Sequence, residues 1–234
     1  MKSDTLGGQL NNMRIINWNC CRGKHAGKLR PLLDLQPSLA VVPESPRPAQ
    51  KIAESQLWHG NNVNQGLLVL SFHGWRLEQA GDLRDDPQFF LPVHVIGPKE
   101  RFNLLAVWVK PGNKRPLYLN TILEGLSVYE RFITSAPTLL IGDLNTSQFV
   151  DELYRRFGLV SAYHKFFNVE AGNEKHATYY FLWNSSRPFH IDYCFVPREW
   201  RRRIKNVEVG SYDRWTGAKL SDHCPVFVDM SDRR

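Results

Sequence analysis

The chain has 234 residues, 42% hydrophobic and 23% charged, with a formal net charge of +7. This is the composition of a globular domain large enough to bury a core without disulfide or metal staples, and its positive balance favours polyanionic partners such as nucleic acid or phosphorylated lipid surfaces. No apolar run approaches the roughly 18 residues of a membrane helix, and the segment Met1 to Gly8 lacks the apolar core of a secretory signal, so neither membrane insertion nor secretion is expected.

Residues 1–12 read as a flexible polar leader, either a disordered tail or a stretch preceding a natural start at Met13. A single domain is expected over 13–231. Its first strand is Arg14-Ile15-Ile16-Asn17-Trp18-Asn19-Cys20. A short helix follows over 28–35 and stops at Pro37. Leu39-Ala40-Val41-Val42 is a compact buried strand with Glu44 just past its end. Further strands are expected over 66–71, 89–96 and 102–109, separated by Gly, Asp and Pro. The clearest helix covers 117–136, where Ile122, Leu126, Tyr129 and Ile133 recur at spacings that form one apolar face. Pro137 ends it, and Thr138-Leu139-Leu140-Ile141 is a buried strand delivering Gly142-Asp143. A second helix is expected over 149–157, with Gly158 as its stop. The remainder is strand-rich, over 178–183, 189–196, 207–211 and 224–229. The densest basic run, Arg198 to Lys205, reads as an exposed turn or short helix, and either a solvated face or a nucleic-acid contact fits it. Strands predominate over helices, which suggests sheets packed face to face with helices outside.

The four cysteines, Cys20, Cys21, Cys194 and Cys224, lack metal-finger spacing and read as free thiols. A reducing compartment follows, and the cytoplasm is the expected location.

Five patches sit at the ends of apolar runs: Trp18-Asn19, Pro43-Glu44-Ser45, Gly142-Asp143-Leu144-Asn145, His190-Ile191-Asp192-Tyr193 and Ser221-Asp222-His223. Hard oxygen ligands for one small divalent cation, with a histidine and amides for a phosphate, make up this inventory. Asp222 and His223 are adjacent and would point to opposite faces of a strand, so the partner of His223 is expected to be the distant Asp192. An Asp–His pair fixes the tautomer and favours the imidazolium. Protonated, His223 would stabilise a phosphorane; neutral, it would take a proton from water, and Asp143 competes for that base role.

In their order along the chain these patches resemble the endonuclease/exonuclease/phosphatase superfamily of metal-dependent phosphodiesterases, over about Met13 to Met230. The resemblance implies an α/β (α+β) fold, a four-layered α/β sandwich of two mixed β-sheets packed face to face with helices on both outer faces. It implies Glu44 as a direct Mg²⁺ ligand, with Asp222 near the metal and Asn19 assisting; Mn²⁺ may substitute. It implies that Asp143 and Asn145 orient water and hold a phosphate oxygen, that Asp192 pairs with His223, and that His223 contacts the scissile phosphate. The expected activity is hydrolysis of DNA or RNA phosphodiester bonds by a monomer. The alternative is a phosphatase or phosphodiesterase acting on inositol phosphates, sphingomyelin-like lipids or other small phosphoesters. Where many members carry Tyr or His, this chain has Trp108, read as core packing or as a wall of the substrate groove. His190, two residues before Asp192 on one strand face, is a further substrate-binding candidate. Tyr179, Tyr180, Trp183 and Phe189 fit either base stacking or the core. Specificity is expected from loops 46–65 and 165–176.

Overall fold

A computed structural model describes residues 12–23, 27–83, 88–110, 118–147 and 150–232. The strands in chain order are β1 (Asn12–Asn17), β2 (Leu39–Ser45), β3 (Ser55–Asn62), β4 (Gln65–Ser71), β5 (Arg76–Gln79), β6 (Phe90–Ile96) and β7 (Arg101–Trp108). They continue with β8 (Thr138–Asp143), β9 (Leu159–Ser161), β10 (Tyr179–Tyr180), β11 (Pro188–Phe189), β12 (Asp192–Pro197), β13 (Ile204–Val209) and β14 (Val226–Ser231). The helices are α1 (Arg30–Leu33), α2 (Tyr118–Val128), α3 (Glu130–Ser135), α4 (Val150–Phe157) and α5 (Ala162–Phe167).

Two six-stranded sheets form, ordered β13-β14-β1-β2-β4-β3 and β5-β6-β7-β8-β12-β9. Each is mixed, because β1 runs parallel to β2 and β7 parallel to β8 while their other neighbours are antiparallel. Side chains alternate between faces along each strand, and the buried residues divide accordingly. Met13, Ile15, Leu39, Val41, Leu104, Ala106, Leu139, Ile141, Cys194 and Val196 fill the space between the sheets. Ile16, Trp18, Ala40, Val42 and Leu68 pack outward with Leu32 of α1 and with Trp215. On the other side, Leu105, Leu140, Tyr193 and Phe195 pack under Ile122, Leu126, Ile133 and Leu153. The four layers expected from the motifs are therefore present.

Several elements depart from the pattern read in the sequence. The helix expected over 117–136 divides at Tyr129, whose φ of -100° and ψ of 13° leave the helical region. Tyr129 is drawn onto the sheet, where its ring stacks on Phe90 and its hydroxyl donates to Phe90 O at 3.4 Å. Gly125 permits that approach, since a Cβ there would lie 2.2 Å from the Phe90 ring. The 28–35 helix shrinks to Arg30–Leu33. Residues 55–62 form β3, correcting the reading of 46–65 as loop. β3 and β5 are edge strands, polar in composition and half exposed, and so carry little strand signal. β9 and α5 went unrecognised, although Ser161 caps α5 by accepting from His164 N at 3.4 Å. The run over 178–183 is strand only at Tyr179–Tyr180 and then becomes a tight 3-10 turn. That over 189–196 breaks at His190-Ile191, because Thr178 Oγ1 accepts from Ile191 N and Asp192 N at 3.0 and 3.1 Å. β1 starts at Asn12, two residues earlier than expected, and ends at Asn17 rather than Cys20.

Candidate active site

Strand parity delivers the polar residues of the site to one place. Met13 and Ile15 face the inter-sheet core, so Asn17 and, one pleat further, Asn19 face the same way. Asp143 continues the inner face of Leu139 and Ile141, and Asp192 that of Cys194 and Val196. Asp143 and Asp192 are cross-strand partners, so two carboxylates meet where the sandwich ends. Their relative exposures are 1% and 0%.

Glu44 reaches this place by an irregularity. Regular alternation would put it outward with Ala40 and Val42, but the β2–β4 register shifts between Pro43 and Ser45 and Glu44 adopts a φ of 57°. Such a bulge re-aims a side chain. Asn19 Nδ2 then donates to Glu44 Oε1 at 3.3 Å and to Asp143 Oδ2 at 2.8 Å, joining the two carboxylates through one amide. Arg22 Nε lies 3.3 Å from Glu44 Oε2. Asn145, at a φ of 55°, donates its backbone N–H to Asp143 Oδ1 at 3.0 Å and uses its amide to bind Val109 O at 3.0 Å.

His223 Nδ1 sits 2.8 Å from Asp192 Oδ2, and its Nε2 lies 4.0 Å from Asp143 Oδ2. A carboxylate can only accept, so Nδ1 carries a proton and Nε2 faces the reaction space. The loop bearing it is fixed on several sides. Trp18 Nε1 donates to His223 O at 3.0 Å, His223 N to Ser221 Oγ at 3.0 Å, and Ser221 Oγ to Asn19 O at 2.7 Å. Burial opposes a charged imidazole, but the charge and hydrogen bond of Asp192, reinforced by Asp143, carry His223 up to about 9. Burial, and then the charge of Asp192, push Asp143 up to about 7 against the opposing pull of His223. Asp192 Oδ1 is buried with no hydrogen-bond partner among the described residues.

Burial and the charges of Asp222 and Glu44 raise the Cys21 thiol to about 12. Glu44 keeps 19% side-chain exposure, with Oε1 toward Asn19 and Oε2 toward Arg22. Glu44 and Asp222 are the carboxylates that could hold Mg²⁺ or Mn²⁺, which take hard oxygen ligands; Asn19 turns its amide NH2 to Glu44, and its Oδ1 accepts from Cys21 N at 2.9 Å. Asp143, Asp192 and His223 also bring ligand atoms within 4.8 Å of one another. An imidazolium has no lone pair to give a metal, so that trio reads as an acid–base group instead.

The structure brings Asn19, Glu44, Asp143, Asn145, Asp192, Asp222 and His223 together. Trp108 neighbours Asp143 as its register partner across β7–β8, while His190 sits outside β12. Trp108 is 2% exposed and packs on Phe89 with ring centroids 4.5 Å apart, while Lys110 Nζ covers its ring at 4.6 Å. These contacts support the core-packing reading of Trp108. His190 lies outside β12 and shares no strand face with Asp192. Its Nδ1 donates to His176 O at 2.7 Å, its ring lies 4.3 Å from that of Tyr163, and burial lowers its pKa. It does line an open cleft of about 710 Å³ that extends to Asn145. The Arg198–Lys205 run follows the far end of β12, some 17 Å along the strand from Asp192 at about 3.3 Å per residue, and Arg203 is engaged by Glu100.

Sequence reasoning missed two supports, Asn17 and Thr178. Asn17 is fully buried and its Nδ2 donates to Gly142 O at 2.9 Å, tying β1 to the residue before Asp143. An asparagine on the inner face of an otherwise apolar strand is the signal that pointed to it. Thr178 carries no comparable signal. Tyr179 lies with its ring 4.6 Å from that of His223, and burial with the charges of Asp222 and Asp143 raises its hydroxyl to about 12.

No protein-family model matches the sequence, and no curated protein matches it. Solved structures do match the fold. An AP endonuclease from Archaeoglobus fulgidus aligns at a TM-score of 0.69 and 13% identity, covering 94% of this chain and 100% of that one. A 3′ phosphatase from Neisseria bound to a product DNA hairpin aligns at 0.68 and 16%, again covering 94% and 100%. An AP endonuclease from Leishmania major aligns at 0.69 and 12%, covering 95% and 88%. The chain shares the fold of these structures. At such identities the likeness concerns architecture, and the chemistry rests on the residues above.

Proposed function

We propose that the protein is a Mg²⁺-dependent phosphodiesterase that cleaves DNA or RNA. The observation that carries this reading is the chain Glu44–Asn19–Asp143 facing the His223–Asp192 pair at one end of the sandwich. A phosphodiester is anionic, and more negative charge develops as water attacks. Asp143, poised near neutrality, takes the proton of that water as general base. The His223 imidazolium stabilises the charge growing on a non-bridging oxygen, and Asp192 keeps it protonated. Asn145 and Asn19 hold Asp143 in place. Glu44 and Asp222, assisted by Asn19, would hold the Mg²⁺ ion, for which Mn²⁺ may substitute; when bound it supplies neutralisation of the phosphate and stabilisation of the leaving oxygen. Arg22 and Lys110 lie beside Glu44 and give the mouth the cations that a polyanion needs. Unpaired cysteines accord with a reducing compartment.

The test is incubation with supercoiled plasmid, single-stranded DNA and RNA, with Mg²⁺ and with chelator, beside the Asp143→Asn variant. Chelator-sensitive nicking or degradation that the variant lacks is the expected result. Turnover of inositol phosphates or sphingomyelin with every nucleic acid left intact would overturn it.

A further inference from the structure

Beside His223 a hairpin runs from Tyr179 to Phe189, with Tyr179 paired to Phe189 and Tyr180 to Pro188. Its large apolar side chains face solvent: Phe181 is 36% exposed, Phe189 49% and Leu182 71%. Solvated apolar groups clustered on one projection mark a contact surface rather than packing. The tip is also built rigidly. Leu182 and Trp183 both adopt positive φ, 53° and 63°, a region that bulky residues enter only under constraint. Phe181 N donates to Arg187 O at 3.1 Å and Tyr212 Oη to Trp183 O at 2.9 Å, and these bonds hold the turn.

Charge names the occupant. From Lys175 to Ile191 there is no acidic residue. The Arg187 guanidinium lies over the Phe181 ring at 4.2 Å and Lys219 Nζ over the Trp183 ring at 5.1 Å. Aromatic faces set among cations are the surface on which unpaired bases stack while their phosphates meet the charges. Bases within a duplex are already stacked and offer no free face except at an end. The root of the hairpin is bonded to the catalytic loop, since Tyr180 N donates to Asp222 O at 2.9 Å and Cys224 N to Thr178 O at 2.8 Å. The hairpin is therefore anchored to the loop that carries His223.

We infer that this hairpin is a stacking platform for unpaired nucleotides, which makes single strands and frayed ends the preferred substrate. The inference rests on the nucleic-acid reading above and adds the strandedness of the substrate. Oligonucleotides carrying 2-aminopurine, single-stranded or in a matched duplex, are titrated with protein in chelator, and quenching and anisotropy are recorded. The wild type is expected to quench the single strand and bind it at least about tenfold tighter than the duplex. A Phe181→Ser, Leu182→Ser double variant is expected to lose the quenching and about tenfold in single-strand affinity, the scale of one stacked base. Its melting temperature, read by circular dichroism, is expected to match that of the wild type. A folded variant that binds and quenches the single strand like the wild type overturns the platform. So does a wild type that cuts duplex with no preference for single strands, and that result leaves the nuclease reading intact. A wild type that neither binds nor cuts any nucleic acid removes both. Binding to anionic vesicles that the double variant loses, with oligonucleotide affinity unchanged, would reassign the hairpin to a membrane surface.

Discussion

Asp143 holds its proton to about 7 because burial and a neighbouring carboxylate both oppose its ionisation. Replacing it with Asn keeps the shape and one of its two accepted hydrogen bonds and removes the base, so kcat should fall by about a hundred- to ten-thousandfold with little change in KM; steady-state cleavage kinetics check this. The same residue also shapes stability in the absence of metal. Asp143 and His223 keep their protons to higher pH in the folded chain than in the unfolded one, where their values are about 3.9 and 6.5. The stability each contributes is therefore complete below its unfolded pKa and lost as pH rises toward about 7 and about 9. In chelator the wild type should melt at progressively lower temperature across those windows, and Asp143→Asn should remove the decline between pH 4 and 7. Calorimetry showing the same slope in both proteins would refute that assignment. Asp192→Asn takes away the charge that offsets the burial of His223, so the imidazole should deprotonate well below 9, observable by NMR titration of its ring protons.

At the scale of elements, placement matters more than residue type. Gly142 precedes Asp143, and a Cβ there would lie 1.7 Å from Val107 O. Gly142→Ala should therefore separate β7 from β8, costing about 1–3 kcal/mol, measured as a shift in the urea midpoint. The elements that deliver site residues were the most legible in the sequence. Ile15-Ile16, Leu39 to Val42 and Leu139 to Ile141 are buried on both faces, so their composition alone marks them as strands. Glu44 was found in the right place for a reason sequence does not display, since only the bulge turns it inward. The strand face that His190 was expected to share with Asp192 is absent for a related reason: two-residue periodicity does not run through a segment that the Thr178 hydroxyl takes out of the ladder. Edge strands β3 and β5 were illegible because half their surface faces water and no alternation is imposed on them.

At the scale of the whole molecule, a net charge of +7 was legible but its distribution was not. The densest basic run lies at the far end of β12, whereas the cations near the site, Arg22, Lys110, Arg187 and Lys219, are dispersed in sequence. Charge reversal at Arg187 and Lys219 should reduce oligonucleotide affinity and flatten its dependence on salt, while reversal at Arg201 and Arg202 should leave both within about twofold. Equal losses from the two pairs, measured by anisotropy across a salt series, would place the nucleic acid over the basic run.

The pairing of β1 with β14 joins Asn12–Asn17 to Val226–Ser231 in the middle of one sheet. The same closure seats His223 against Trp18 and Asp192. A chain in which β14 has not paired with β1 thus lacks the closure that holds His223 against Trp18 and Asp192.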